Sequence, residues 1–376
     1  AGEWILHIDS DGQIELADQT FTRLAQSPGR DGFDVWALAN SGWTALRLGD
    51  FARAREAFTR LLAARPAYPL DAYGRFGLAL SLYALGQYED AQRAWREVTM
   101  AERAAILSRF CDAFESHGDA IAEELSWQMG RPHRYAPSEV RGTLERARHM
   151  IAIASAALAD IDVGPKAGFH RFLRPVPLGV AFTVAAWNYP YLIAVNSVVP
   201  ALMAGNVVLL KHSAQTPLCA ERFEECLREA GLPEGAFQAL HLSHADTERV
   251  IGDSRVDFVA FTGSVAGGHA VQRAAASRFV GTGLELGGCD PAYVRHDANL
   301  AHAVENLVDG AYFNSGQSCC GIQRVYVHEH LYEAFVEGWV ELTRKYSLGN
   351  PLDPETTLGP VVRTAAADEI RRQVAA

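Results

Sequence analysis

The sequence has no excess of positive charge: 34 Lys and Arg stand against 45 Asp and Glu, for a formal charge of −11. A surface of that sign repels a phosphate backbone, and no basic patch offsets it, which excludes nucleic acid as a partner. Cysteine is scarce: Cys111, Cys219, Cys226, Cys289, Cys319 and Cys320 are the only six. Their spacing fits neither a zinc site nor a small disulfide scaffold, so no metal is expected and a reducing, cytoplasmic compartment follows. The first residues, Ala1-Gly2-Glu3-Trp4, show no basic segment leading into an apolar run, so no secretory signal is expected. A clean membrane-length run is missing too. Residues 175–210 carry no charge, but Asn188, Pro190, Asn196, Pro200, Gly205 and Asn206 interrupt them. Hydrocarbon would leave those polar groups and that broken backbone unsatisfied, so buried strands and helices are expected and no membrane partner.

What is present begins with helix. Trp4–Ile8 reads as a short strand and Asp11-Gly12 as a turn. From Trp36 to Val98 a helical pattern repeats. Leu38, Gly42, Gly49, Phe51, Ala54, Phe58 and Pro66 form one unit; Leu78, Ala79, Gly86, Tyr88, Ala91 and Trp95 form a second. The turn glycines Gly49 and Gly86 are 37 positions apart. Small residues such as Gly42 and Ala54 let paired helices approach closely. The units resemble tetratricopeptide repeats, whose period is about 34 residues; a generic pair of helical hairpins is the plainer alternative. A protein partner docked on these helices is the implied use.

After Met100 the pattern changes. Ala101–Gly130 reads as one long amphipathic helical region, with Leu107, Phe110, Phe114, Ile121 and Leu125 at helical spacing. Glu139–Ala157 reads as a further helix, and Asp160–Arg174 as a hairpin-like excursion. Strands are expected at Gly179–Ala185, Asn206–Lys211, Ala236–Leu242 and Val256–Phe261, with helices at Pro190–Ala204, Pro217–Ala230, Ala245–Ile251 and Ser264–Ala275. This β-α alternation implies a mostly parallel sheet covered on both faces, with ligands at the carboxyl ends of its strands.

Five local signals carry chemistry. The polar loop Phe313–Cys320, between a helix at Leu300–Tyr312 and a strand at Arg324–His328, puts the Cys319 thiol on an exposed turn suited to a nucleophile. Glu285, at the end of an apolar stretch before Gly287-Gly288, could serve as a general base if held in a pocket. Asn188, in Trp187-Asn188-Tyr189-Pro190, offers an N–H donor to a developing oxyanion. Lys211 ends a strand and points to whatever binds above the sheet. Phe261-Thr262-Gly263-Ser264 leads into a helix whose start, with Gly263, Gly267 and Gly268, leaves room for a pyrophosphate, although it lacks the G-x-G-x-x-G pattern. Taken singly, each has a plainer reading: a packing cysteine, a surface carboxylate, a turn.

Taken in order they resemble the aldehyde dehydrogenase superfamily. The matching stretches are Trp187-Asn188, Pro200–Asn206 before Lys211, Phe261–Ser264, Glu285–Gly288 and Gly316-Gln317-Ser318-Cys319. Glu285 and Cys319 stand 34 apart, the usual family spacing. The resemblance covers residues 91–376. It implies an α/β, aldehyde-dehydrogenase-like parallel-sheet cofactor domain with part of the catalytic domain, preceded by the α-helical repeat-like region. The domains are then 1–90, 91–284 and 285–376.

The resemblance also implies that Cys319 attacks an aldehyde carbon and that Asn188 and the Cys319 N–H hold the oxyanion. Hydride passes to NADP or NAD, and water activated by Glu285 hydrolyses the thioester to a carboxylic acid. Lys211 is expected at the adenosine ribose, and Gly263 and Ser264 at the pyrophosphate. Trp187 is expected near the cofactor and, with Tyr191 and Gln317, along the substrate channel. NAD-preferring members carry a Glu where Ala214 stands; its loss removes repulsion against a 2′-phosphate, and His212 adds a donor, which favours NADP. Cys289 stands where the family commonly has Lys. The family's chain continues roughly a hundred residues further, supplying a Glu-x-Phe-Gly-Pro motif and an oligomerisation strand, so a homo-oligomer is expected of a full-length protein. The alternative function is a scaffold: a truncated, inactive dehydrogenase part supporting a repeat-type interaction module.

Overall fold

The structure, a computed structural model, describes residues 33–48, 50–64 and 87–375. The strand expected at Trp4–Ile8 and most of the second helical unit, including Leu78, Ala79 and Gly86, lie outside the described residues. Helices α1 (Phe33–Arg47) and α2 (Phe51–Ala63) pack as a pair around Leu38, Ala45, Ala54, Phe58 and Leu61. Gly42 is what lets them meet: a Cβ there would lie 2.6 Å from the Phe58 ring. Asp50 caps α2, its carboxylate accepting from the Arg53 N–H at 3.1 Å.

Helix α3 (Gln87–Glu97) runs across residue 90 and commits its last turn to the main core. Trp95 is fully buried there and donates its indole N–H to the Leu202 carbonyl at 3.0 Å. The long helical region expected at Ala101–Gly130 is two helices, α4 (Met100–Ser116) and α5 (Gly118–Met129). The chain leaves the helical region of φ/ψ at His117, with Gly118 following. Hydrophobic periodicity could not reveal that break, because both helices present apolar faces to one core: Leu107, Phe110 and Phe114 from α4, Ile121 and Leu125 from α5. Thr99 and Glu102 form a reciprocal capping box that starts α4. Helix α6 (Ala136–Ala157) follows, then the excursion, an antiparallel ribbon of β1 (Ile161–Asp162) and β2 (Phe172–Leu173).

The centre is a five-stranded, wholly parallel sheet in the order β5-β4-β3-β6-β7. Its strands are β3 (Val180–Val184), β4 (Val207–Lys211), β5 (Phe237–Leu240), β6 (Phe258–Gly263) and β7 (Gly281–Leu286). Every residue of β3 and β4 is buried, which is why they read as nearly continuous apolar runs. Helices α7 (Pro190–Met203), α8 (Leu218–Glu229), α9 (His244–Gly252) and α10 (Val265–Ala275) connect the strands. The Pro200–Asn206 stretch works structurally. Asn206 accepts from the Gly179 N–H at 3.0 Å and donates to the Ala201 carbonyl at 3.2 Å, stapling α7 to the head of β3. Gly205 ends α7 at φ 87, with the Arg103 guanidinium where a Cβ would project.

From β3 the chain winds outward through β4 and β5, then returns to the opposite side of β3 as β6. That reversal opens a crevice at the carboxyl ends of β3 and β6, the place where such sheets bind ligands. Beyond β7, a separate two-stranded parallel sheet of β8 (Asp290–Val294) and β9 (Ile322–Val327) packs with α11 (Leu300–Tyr312) and α12 (Tyr332–Thr343) on a small core of Val294, Val304, Val308 and Phe335. Helix α13 (Thr364–Ala375) is last. Among the described residues, no helix is long and apolar enough to cross a membrane.

Candidate active site

Four adjacent strands deliver the sequence-predicted residues to one edge of the sheet. β3 leads into Trp187 and Asn188, β4 ends on Lys211, β6 leads through Gly263 into Ser264, and Glu285 lies on β7 directly beside Thr262 of β6. Cys319 comes from further along the chain, after α11 and a tight 3-10 turn at Phe313–Gly316. Two hydrogen bonds draw these segments together. The Gly288 N–H donates to the Cys319 carbonyl at 3.1 Å, closing the end of β7 onto the nucleophile loop. The Asn314 side chain donates to the Asn188 carbonyl at 3.0 Å, closing the β3 loop onto the same segment. Gly288 is required there, because a Cβ would sit 2.7 Å from the Cys319 oxygen.

Cys319 is exposed, as the loop composition predicts. Partial burial and the neighbouring Cys320 push its thiol up from the ordinary range, so the resting form at neutral pH is the thiol. Asn188 is half-buried; its carbonyl is held from two sides, while its side-chain amide has no hydrogen-bond partner among the described residues. That amide is therefore able to donate to an incoming oxygen. Glu285 is exposed, so the enclosing apolar pocket expected around it is not there.

On the cofactor side, Lys211 is 7% exposed and burial pulls its ammonium down. It has no carboxylate partner among the described residues, which leaves a cation at the strand end free for a ligand's hydroxyl or phosphate. Ser264 caps α10 by accepting from the Gly267 N–H at 3.1 Å, fixing a helix N-terminus beside the end of β6. The room left by Gly263 and Gly267 is taken by the Phe261 ring, 2.5 and 2.6 Å from where their Cβ atoms would be, and that left by Gly268 by Leu286. These glycines therefore clear no space for a pyrophosphate, contrary to expectation; the anion-binding feature that remains is the backbone at Gly263-Ser264, where α10 starts.

Three further expectations are corrected. His212 is not a donor to a 2′-phosphate. It is 3% exposed, its Nε2 lies 3.1 Å from the Pro190 carbonyl, and its Nδ1 accepts from the Ser213 N–H at 3.0 Å. Burial holds the imidazole neutral, with a pKa lowered to about 4. Tyr191 lines no channel: it is fully buried between Phe114 and Phe223. Gln317 spends its side chain on backbone, donating to the Asn314 carbonyl at 3.0 Å and accepting from the Val362 N–H at 2.8 Å. Trp187 is half-buried and Ala214 exposed, just beyond Lys211.

Two charged residues that the sequence reading passed over lie at the centre of this arrangement. Arg131 and Glu139 form a buried ion pair directly behind Asn188 and Asn314. Their only local signal is the Gly130-Arg131-Pro132 turn after α5. A cavity of about 50 Å³ lies behind the nucleophile loop, walled by Arg131, Tyr135, Tyr312, Phe313 and Tyr346 among others. Neither Cys319 nor Lys211 lines it, so it is not the reaction site.

With this geometry in place, the profile described as "Aldehyde dehydrogenase family" matches residues 83–376. The chain belongs to the aldehyde dehydrogenase family. A tetratricopeptide repeat profile matches residues 40–99, overlapping the start of the dehydrogenase match. The succinate-semialdehyde dehydrogenase [NADP(+)] of Mycolicibacterium paratuberculosis is 36% identical over 278 residues, covering 73% of this chain and 59% of that protein. The NAD-dependent aldehyde dehydrogenase from Sinorhizobium meliloti superposes with a TM-score of 0.74 at 30% identity, over 78% of this chain and 60% of that one. A 3,6-anhydro-L-galactose dehydrogenase in complex with NAP has a TM-score of 0.74 at 28% identity, over 77% of this chain and 61% of that one. This aldehyde dehydrogenase chain thus spans about three fifths of the length of the relatives it matches.

Proposed function

We propose that the chain carries the cofactor-binding and nucleophile-bearing part of an NADP- or NAD-dependent aldehyde dehydrogenase that oxidises a small aldehyde to a carboxylic acid. One observation carries this reading: Asn188 and the end of the Glu285 strand are both bonded to the loop that holds Cys319. The Cys319 thiol first releases its proton to solvent; the thiolate then adds to the aldehyde carbon, and the oxygen that becomes negative is received by the Asn188 amide and the Cys319 N–H. When bound, the oxidised nicotinamide supplies the hydride acceptor. Loss of hydride from the carbon bonded to Cys319 leaves a thioester on sulfur. Glu285 takes a proton from water as the water attacks that thioester, the acid is released, and the proton passes to the departing Cys319 sulfur to restore the thiol. Lys211 is suited to the adenosine ribose, the N-terminus of α10 at Gly263-Ser264 to the pyrophosphate, and Trp187 to the cofactor's flank. Ala214 puts no carboxylate beside Lys211, which supports NADP. His212, neutral and enclosed, does not contribute. A three-part division goes with this reading, with the boundaries expected at 90 and 284 moved off α3 and β7, which run across them, as does a cytoplasm-like compartment for six free thiols.

The test is reduced-nicotinamide formation by the purified chain, given NADP or NAD and short aldehydes headed by succinic semialdehyde. Turnover is expected to vanish in Cys319→Ala. Glu285→Gln is expected to accumulate a Cys319 thioester visible as an acyl mass increment. Turnover that survives Cys319→Ala would refute the mechanism. A second reading is favoured by the tetratricopeptide match over residues 40–99: the helical segment docks another protein, with the dehydrogenase part as its scaffold. No turnover in the unsubstituted chain, together with a partner whose binding is lost when α1 and α2 are removed, would favour it. Self-association into a homo-oligomer is proposed on family grounds and is checked by sedimentation.

A further inference from the structure

Arg131 and Glu139 are 2% and 1% exposed, on different elements: Arg131 just past the C-cap of α5, Glu139 in the first turn of α6. A buried ion pair is weak evidence for stability, because desolvation offsets most of what the charges gain from one another. The remaining bonds of this pair show what it organises. Arg131 donates through Nη1 to Glu139, through Nε to the Asn314 side-chain oxygen at 3.2 Å, and through Nη2 to the Asn188 carbonyl at 2.7 Å. Its guanidinium also lies 5.0 Å from the centre of the Tyr189 ring, which stacks on Phe313. Glu139 accepts from the Tyr191 N–H at 2.9 Å and the Leu192 N–H at 3.3 Å, two otherwise orphaned donors in the first turn of α7.

The nucleophile loop is held under strain at the same place. Asn314, Ser315 and Gly316 are three consecutive left-handed residues, at φ 54, 60 and 72. Two non-glycine residues in that region persist only when their surroundings over-determine them. Here the bonds do so. Asn314 receives Arg131 and donates to the Asn188 and Gln317 carbonyls, and Ser315 donates to the Gly359 carbonyl at 2.7 Å. One guanidinium thus binds both the carbonyl of the residue that carries the oxyanion donor and the side chain that sets the turn before Cys319.

We infer, on the reaction proposed above, that Arg131 is a positioning residue: acting through Asn314 and the Asn188 carbonyl, it sets the oxyanion donor against the nucleophile loop, with Glu139 orienting its guanidinium. It touches no reacting atom. Lysine at this position keeps the charge opposite Glu139 but cannot reproduce the fork that binds Asn188 and Asn314 together.

The test is a kinetic cycle backed by a measurement that needs no turnover. Arg131→Lys is expected to lower kcat at least tenfold while KM for NADP stays within twofold. Asn188→Ala is expected to lower kcat as well, and the double variant to be no slower than Asn188→Ala alone, because both act through one group. Losses that multiply in the double variant would overturn the inference. Amide hydrogen exchange is followed on the same proteins across residues 186–192 and 312–320. Arg131→Lys and Asn314→Ala are each expected to speed exchange in both segments together, with cofactor-strand exchange unchanged. Faster exchange confined to 312–320 in both variants would show the loops to be uncoupled and would also overturn it. A chain without turnover, or one whose turnover survives Cys319→Ala, fails the proposed reaction, and the exchange result then decides the coupling on its own.

Discussion

His212 should make this protein lose stability in mild acid. The imidazole is enclosed, with Nε2–H donating to the Pro190 carbonyl and Nδ1 accepting from Ser213 and from Thr216. Protonation would put a hydrogen on Nδ1, where it would face the Ser213 N–H and end the acceptor role of that nitrogen. Burial accordingly lowers the pKa from 6.5 to about 4. In the unfolded chain the group titrates at its ordinary value. As pH falls below 6.5 the unfolded state takes the proton first, so the stability present at neutral pH is lost progressively down to the folded-state value near 4. Between pH 7 and pH 5 the loss from this one group is about 2 kcal/mol. The assay is urea denaturation at both pH values for the parent and for His212→Gln, whose amide can still donate to Pro190 and accept from Ser213. The parent should lose about 2 kcal/mol more than the variant over that interval. Equal losses in the two proteins would refute the assignment of a neutral, enclosed imidazole. Because His212 ties the end of β4 to the first residue of α7, the same acid step should loosen the turn that presents Asn188.

Three other expectations follow from single residues. Tyr191 buries a hydroxyl that faces the Cys219 thiol, a weak partner, and meets no oxygen or nitrogen, so Tyr191→Phe should change the chemical-denaturation stability by no more than about 1 kcal/mol in either direction; a larger loss would show a strong hydrogen bond at that hydroxyl. Phe279 stands at φ 55 with 98% of its surface exposed, so Phe279→Asn should raise stability by roughly 1 kcal/mol, read as a higher denaturation midpoint with unchanged slope. Lys211 is one of only three lysines, with Lys166 and Lys345, so amine labelling read by mass spectrometry resolves it individually. NADP should protect Lys211 and neither of the others, and Lys211→Met should weaken NADP binding tenfold or more; protection spread evenly over all three would remove Lys211 from the cofactor site.

Much of this architecture was legible in the chain itself. Strands β3 and β4 announce themselves as apolar runs, broken only by Thr183 and the terminal Lys211, because both faces of a parallel sheet are covered. The glycines and prolines that end helices mark the β-α alternation. The order of Asn188, Lys211, Gly263-Ser264, Glu285 and Cys319 points to one family although each residue alone says little. Strands β7 and β8 were harder to read. Gly281-Thr282-Gly283 and Asp290-Pro291 lack strand-like composition, and pairing with β6 and β9 is what makes these segments strands.

Only the tertiary structure decided which polar residues face the site and which are spent on holding it. Tyr191 and His212 sit beside motif residues in sequence yet turn into the core: α7 sets Tyr191 between Phe114 of α4 and Phe223 of α8, and His212 closes onto the Pro190 carbonyl at the start of α7. Arg131 and Glu139 look in sequence like any solvated charges on helical segments. They become central because Arg131 meets Asn314 across 183 positions and Asn188 across 57. Local periodicity records which face of an element is apolar. It holds no trace of a hydrogen bond whose two ends meet only after the sheet, its covering helices and the nucleophile loop have closed around them.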